Sequence, residues 1–389
     1  MSNDTHTEVT SQSWFSRLGS AFKGIIFGGV FFLVAFPLLF WNEGRAVHRY
    51  QALEEGSGLV ISVTANSVNA ANDGKLIHLS GKATTNEILA DPTFGITANG
   101  LKLRRKVEMY QWMETSKSKT EKKLGGGTET VTTYSYDKKW SGSPIDSGNF
   151  SKSDGHLNPA GMPYQTEYYV AENVKLDAFS LPKFVIDQIN SYSKLPISVN
   201  SHLPENIKSN ANIQDGTLYI GESPAVPQVG DIRVSYEVIK PLDVTLIAKQ
   251  VSNTFEPYKT KSGGSIQLLQ TGIHSAESMF ESAETGNAIM TWILRFVGFI
   301  VMALGLNMVF KPLPVIADVL PIAGNIVGAG TGLVANILAA AFSIITIAMA
   351  WVFYRPLIGL ALIAIAAIFI YFTKVRMKKG KIKTVPEMA

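Results

Sequence analysis

Apolar runs occupy both ends of the chain, and short alternating stretches fill the middle. Residues 24–41 read GIIFGGVFFLVAFPLLFW without a charge. Residues 288–310 read AIMTWILRFVGFIVMALGLNMVF, interrupted by Arg295. Residues 324–354 carry no charge, and residues 357–373 form a last run. About 20 apolar residues cross a bilayer as a helix, so the pattern predicts four crossings: 22–41, 288–310, 331–354 and 357–373. The first run is too long for a signal peptide, and no small-residue cleavage site follows it. Pro37 is expected to kink it, which a membrane helix tolerates. Arg355 and Pro356 separate the last two runs. Proline removes a donor and disfavours helix at the residue before it, and arginine is costly in lipid but tolerated at headgroup level. The pair therefore reads as the turn of a helical hairpin; the sharper alternative is a buried transport or gating arginine.

Residues 42–287 form the polar insert. GKLIHLSG (74–81), KVEMYQWME (106–114), TVTTYSYDKKW (130–140), DIRVSYEVI (231–239) and VTLIAKQV (244–251) are rich in β-branched and aromatic residues, and several alternate, as half-buried strands do. LGGGTE between two of them predicts a hairpin loop. Residues 177–194 have helical spacing, with Pro182 suited to a first turn. A further helix from about Ser275 runs into the second crossing. NDGKLIHLSG followed by LKLRRKVEMYQW resembles QDGTLYIG followed by VGDIRVSYEVI. These read as two related β modules or as two unrelated hairpins using ordinary Asp-Gly turn chemistry. The expected fold class is α+β: four transmembrane helices, one N-terminal and three C-terminal, around a large β-rich extracytoplasmic domain.

Composition supports this division. The chain of 389 residues is 46% hydrophobic and 17% charged, with a mean hydropathy of +0.14; soluble domains carry about 25% charge. The net charge of +4 is small, so nucleic-acid binding gains little support. Cysteine is absent, which excludes disulfides, thiolate catalysis and zinc-cysteine sites. Six cations in the tail, residues 374–389, place it in the cytoplasm by the positive-inside rule. Four crossings then put the N-terminal segment, 1–21, in the cytoplasm too. They leave the insert in the periplasm of a bacterium, whose inner membrane would hold the chain, or in the lumen of an organelle. The segment 311–330, with prolines 312, 314 and 321, reads as interfacial on the cytoplasmic side. Arg295 falls near the outer end of its helix, where it can snorkel.

Chemistry is sparse. The six histidines have no metal-ligand spacing, no carboxylate pair or phosphate-binding loop stands out, and no catalytic, metal or cofactor site is expected. Gly324, Gly328 and Gly332 form overlapping GxxxG spacings, a candidate helix-packing or oligomerisation seam; the alternative is a flexible or re-entrant segment. Arg295, Asn307 and Asn336 are the candidate intramembrane polar groups. Arg104, Arg105 and Lys106, beside Tyr110 and Trp112, read either as a basic face for anionic lipid or nucleic acid or as a solvated strand edge.

Several stretches together resemble one family. FWNEGRAV follows the first apolar run, and LKLRRKVEMYQWMET lies early in the insert. PQVGDIRVSYEV and YKTKSGGSIQLL come later, RFVGFIVMALGLNMVFKPL forms the second crossing and AWVFYRPL ends the third. In this order they resemble the transmembrane protein 43 (LUMA) family over residues 14–376. The resemblance implies a four-crossing protein with a large lumenal insert. Animal members reside in the endoplasmic reticulum and inner nuclear membrane and act as scaffolds that self-associate and bind other membrane proteins. No enzymatic residues carry over, and Arg355 and Pro356 match the family's FYRPL signature. The expected function is thus a non-enzymatic membrane scaffold, homo-oligomeric and in contact with membrane lipids and other membrane proteins. A lipid-binding or stress-responsive membrane organiser and an oligomeric pore or channel are the alternatives.

Overall fold

The computed structural model describes residues 4–198, 203–208 and 211–357. They form two compact units. The β unit takes residues up to Thr10, Ala52–Glu121 and Glu129–Ala283. The helix unit takes Ser11–Gln51, Lys122–Thr128 and residues from Glu284 onward. The elements used below are β1 (Thr5–Gln12), α1 (Trp14–Leu59), β2 (Leu76–Thr84), β3 (Lys102–Lys122), β4 (Thr128–Ser141), β5 (Thr217–Ile220), β6 (Ile232–Ile239), β7 (Leu242–Val251), α2 (Ala276–Phe310), α3 (Pro312–Ala317) and α4 (Pro321–Tyr354).

Two large sheets and two two-stranded ones build the described part of the β unit. The first runs β1-β4-β3-β6-β5 and ends on Ala211–Gln214; the second runs Phe179–Leu181, Val174–Leu176, β2, β7, Thr254–Glu256. All five expected strands are present. Their inward positions, among them Leu79, Leu103, Val107, Val234 and Leu246, share one core. The pairing of β3 with β6 runs from Lys102↔Ile239 to Met109↔Ile232, so the distal half of β3 extends beyond β6. The loop LGGGTE turns β3 into β4, as expected. Asp215 and Gly216, both at positive φ, join Ala211–Gln214 to β5 in a two-residue turn, where such φ values match the strand twist.

Three expectations for this unit change. The two similar stretches are not equivalent modules: β2 lies in the second sheet and β3 in the first, whereas β5 and β6 are neighbours in the first. The helix expected over 177–194 shrinks to Lys183–Ile186, because Phe179–Leu181 pairs instead with Val174–Leu176; tertiary pairing overrides local periodicity. The N-terminal segment, for which no element was expected, forms β1. Its Thr5, Thr7, Val9 and Thr10 are β-branched, and it docks on the β unit, where Asp4 meets His156 Nε2 at 2.7 Å and Glu8 accepts from Tyr134 and Ser151.

Buried within this unit is an ion pair. Arg105 Nη1 donates to both Asp91 oxygens at 2.8 Å, and the Tyr236 hydroxyl donates to Asp91 Oδ2 at 2.5 Å. Burial pushes the Asp91 carboxyl up, but the Tyr236 and Arg105 hydrogen bonds and the Arg105 charge outweigh it and hold the pKa below the ordinary value. A carboxyl depressed on folding stabilises the fold above its unfolded pKa, near 3.9, and that contribution disappears as pH falls through the folded value. Acid below about pH 4 is therefore expected to lower the unfolding midpoint of the β unit, followed by circular dichroism. Asp91→Asn should destabilise it at neutral pH by about 3–5 kcal/mol and flatten the acid dependence. An Asp91→Asn variant as acid-sensitive as the parent would contradict this.

In the helix unit, α1, α2 and α4 are long and apolar enough to cross a membrane. Expected at 22–41, the first helix continues to Leu59, because NEGRAVHRYQALEEG contains no proline and buries Ala46, Val47, Ala52 and Leu53. The third, expected at 331–354, starts at Pro321 and includes the glycine-rich stretch, which is regular helix rather than re-entrant chain. The rest of the interfacial segment holds α3. The expected fourth crossing, but for its first residue, and the basic tail lie outside the described residues.

Candidate functional site

α1 and α2 run antiparallel, with Gly28 against Gly305 and Leu39 against Gly298. Phe32, Phe36 and Phe342 stack edge to face where α4 joins them. The outward faces carry Ile26, Phe27, Leu33, Ile293, Phe296, Ile326 and Leu333, all exposed, as a lipid-facing surface requires.

At one end of this bundle the apolar packing gives way to a polar cluster. Glu43 of α1 is buried and accepts three hydrogen bonds: from Arg295 Nε at 2.6 Å, Arg295 Nη2 at 2.8 Å and Trp351 Nε1 at 2.7 Å. The side chains of Arg295 and Glu43 are 15% and 3% exposed. The guanidinium also lies 4.7 Å from the Trp292 ring centroid and 5.7 Å from that of Trp351. Bidentate geometry, an added donor and flanking π faces let such a pair persist in a low-dielectric surrounding. Next to it, Asn42 donates to the Thr291 carbonyl at 3.1 Å, and Arg45 donates to Asn287 Oδ1 and Thr291 Oγ1 at 3.0 Å each. One turn beyond, Tyr354 packs on Gly44, where a side chain would meet its ring at 2.5 Å.

Arg295 therefore does not snorkel; it is paired within the bundle. Sequence reasoning misses Glu43 because it follows the first apolar run and reads as the start of the insert. The usable signal is that one acid and one arginine flank antiparallel apolar runs at matching depth. Asn307 donates to its own helix at the Ala303 carbonyl, 2.7 Å away, and Asn336 is exposed on the bundle exterior, so the three polar candidates do not converge. Gly324, Gly328 and Gly332 lie nearest to Asp318, Pro314 and Asn307 of the same chain. Arg355 ends α4 in a non-helical conformation, with its N–H donating to the Trp351 carbonyl at 2.8 Å.

The other end of the bundle has its own charged cluster. Asp318 is buried, pairs with Arg17 and accepts from Lys122 Nζ at 2.5 Å. Arg17 also donates to the Gly126 carbonyl, and Trp14 Nε1 to the Val315 carbonyl at 2.7 Å.

In the β unit the three consecutive cations separate. Arg105 points inward to Asp91. Arg104 is outward but pairs with Glu237 at 2.7 Å and stacks on Tyr192 at 4.3 Å, and Lys106 alone of the three is exposed. Strand alternation splits the run, so it is not a basic face. A groove of about 470 Å³ opens beside it, lined by Glu108, Trp140, Tyr219, Arg233 and Glu237. Arg233 donates to Glu108 at 2.7 Å and lies 4.7 Å from the Trp140 ring.

A family model described as transmembrane protein 43 matches residues 109–356. Over 394 residues the chain is 35% identical to transmembrane protein 43 of Rattus norvegicus, covering 97% of both chains. It is 33% identical to that of Homo sapiens over 392 residues, again 97% of each. A Drosophila melanogaster homolog is 29% identical, covering 90% of this chain and 94% of its own. No solved structure matches.

Proposed function

Because this chain belongs to the transmembrane protein 43 family, we propose that it is a non-enzymatic, multi-pass membrane scaffold that self-associates and organises other membrane proteins. The observation that carries this reading is the Glu43–Arg295–Trp351 cluster. Its hydrogen bonds run between α1, α2 and α4, and those of Asn42, Arg45, Asn287 and Thr291 beside it join α1 to α2. Polar groups held this way fix helix register; they do not present a nucleophile with a base, as a hydrolytic site must. In the β-unit groove, Arg233 pairs with Glu108, and Glu237 with Arg104.

In this reading the insert is extracytoplasmic and the α3 end of the bundle faces the cytoplasm, where Arg17, Lys23 and Lys311 agree with the positive-inside rule. Native mass spectrometry of protein released directly from its own membranes tests the proposal. A discrete homo-oligomer with co-released membrane proteins is the expected result. A monomer at every concentration would sink it, and an oligomer retaining one lipid class and no protein would favour a lipid-organising role instead.

A further inference from the structure

One edge of β6 is shared by two strands. β5 pairs with residues 232–234, and Ser193–Leu195 pairs with residues 236–238. The seam between them falls at Ser235. Along the other edge, β3 sets Glu108 opposite Arg233, Lys106 opposite Ser235 and Arg104 opposite Glu237. Side chains alternate along a strand, so these residues share the outer face, while Val234 and Tyr236 enter the core. The row through Arg233 carries Tyr219 and Glu108, and the row through Glu237 carries Lys194 and Arg104. Between the rows Ser235 is short, and so is Thr217, which comes level with it one position beyond the Leu218↔Val234 pair. Long side chains four residues apart, with a short one between, make a trough whose walls stand about 13 Å apart at the backbone. This is the groove of about 470 Å³ that Trp140 also lines.

We infer that this trough binds a neutral oligosaccharide. Its volume lies within the range of ligand sites, about 300–1,000 Å³, but such sites are mostly apolar, whereas this one is built from ion pairs and hydroxyls. Arg233 Nε donates to Glu108 Oε2 and Arg104 Nε to Glu237 Oε2, each at 2.7 Å. Among the described residues, no partner engages the two Nη atoms of Arg233, Oε1 of either glutamate, or the hydroxyls of Ser235 and Thr217. Each wall therefore offers a donor beside an acceptor. Neighbouring hydroxyls on a sugar ring need that arrangement, because each both donates and accepts, and hydrogen bonds to charged groups are the stronger ones. Trp140 and Pro224 supply apolar surface for the C–H faces of the ring.

Charge balance selects the class of ligand. Glu108, Asp215 and Glu237 are matched by Lys194, Arg233 and Arg104, so the trough has no surplus with which to hold an anion or a cation. Lys106 is exposed opposite Ser235 but is not part of the lining; an acidic oligosaccharide is therefore the comparison that tests the balance. The walls are also fixed in advance. The Arg233 guanidinium lies 4.7 Å from the Trp140 ring centroid, and that of Arg104 lies 4.3 Å from the Tyr192 centroid. Preorganised groups lose less freedom on binding. All these residues belong to the β unit, and the inference does not rest on the self-association proposed above.

Saturation-transfer difference NMR on the full chain in lipid nanodiscs at neutral pH tests this. The neutral probes are maltotriose, cellotriose and triacetylchitotriose; the acidic one is trigalacturonate. Transfer to at least one neutral probe is the expected result. Ser235→Trp, which fills the floor of the trough, should weaken that binding at least about tenfold, the worth of one or two hydrogen bonds. Thr217→Trp fills the same floor from β5 and takes its place if Ser235→Trp fails to fold by circular dichroism. Lys82→Trp, exposed on β2 in the second sheet, should leave the binding unchanged. No transfer to any neutral probe at millimolar concentration, tighter binding of the acidic probe, or full affinity in the folded trough variants would each overturn the inference.

Discussion

Arg295→Leu is expected to lower the stability of the helix unit by about 3–5 kcal/mol, the cost of leaving a buried carboxylate without its partner. Glu43 would keep the Trp351 donor and lose two charge-assisted bonds. Glu43→Leu should cost a similar amount, because the guanidinium would then lie against Trp292 and Trp351 without a counter-charge. The double replacement is the informative protein. Two leucines fill the space with apolar atoms and strand no charge, so its loss should be well below the sum of the two single losses. Denaturant titration in mixed micelles, followed by helical circular dichroism, gives all three values. Additive losses would mean that the pair is not coupled and that its geometry does not hold α1, α2 and α4 together. Glu43→Gln separates shape from charge: it can still accept from Trp351, yet it should behave much like Glu43→Leu.

The apolar runs were legible because bilayer thickness sets a length that composition must meet. The five strands were legible because β-branched and aromatic residues alternate through them. The ends of the elements were not. α1 runs eighteen residues past the last apolar position, since a helix continues through Asn42–Gly56 as readily as a strand could start there, and only the burial of Ala46 and Leu53 decides it. β1 escaped notice because THTEVTSQ has β-branched residues but no apolar face; its partner lies more than a hundred residues away in β4. The Glu43 cluster escaped for the same reason. FWNEGRAV, RFVGF and AWVFY each read as ordinary motifs at the edge of an apolar run, and they become one site only when three helices are placed side by side. Arg105 shows the opposite failure: three neighbouring cations suggested a common face, and the two-residue period of the strand divides them.

Gly28→Ala and Gly305→Ala should each destabilise the bundle by about 1–3 kcal/mol, the usual cost of forcing extra volume into a packed interface. A methyl group on Gly305 would lie 2.6 Å from the Phe32 nitrogen and 2.7 Å from the Gly28 carbonyl oxygen; one on Gly28 would lie 2.6 Å from the Gly305 carbonyl oxygen. These are backbone atoms, which cannot rotate aside, so α1 and α2 must move apart. Separation then weakens dispersion contacts along the crossing, including those of Ala35, Leu39 and Met302. The neighbouring residue supplies the control. Gly29 sits in the same helix and in the same lipid-exposed sequence, but nothing lies within 4 Å of its missing side chain. Gly29→Ala should therefore be neutral or stabilising by up to about 1 kcal/mol, since alanine loses less backbone entropy than glycine in a helix. Adjacent glycines with opposite responses would locate the contact between α1 and α2 to one residue, and equal responses would show that the two helices do not cross there.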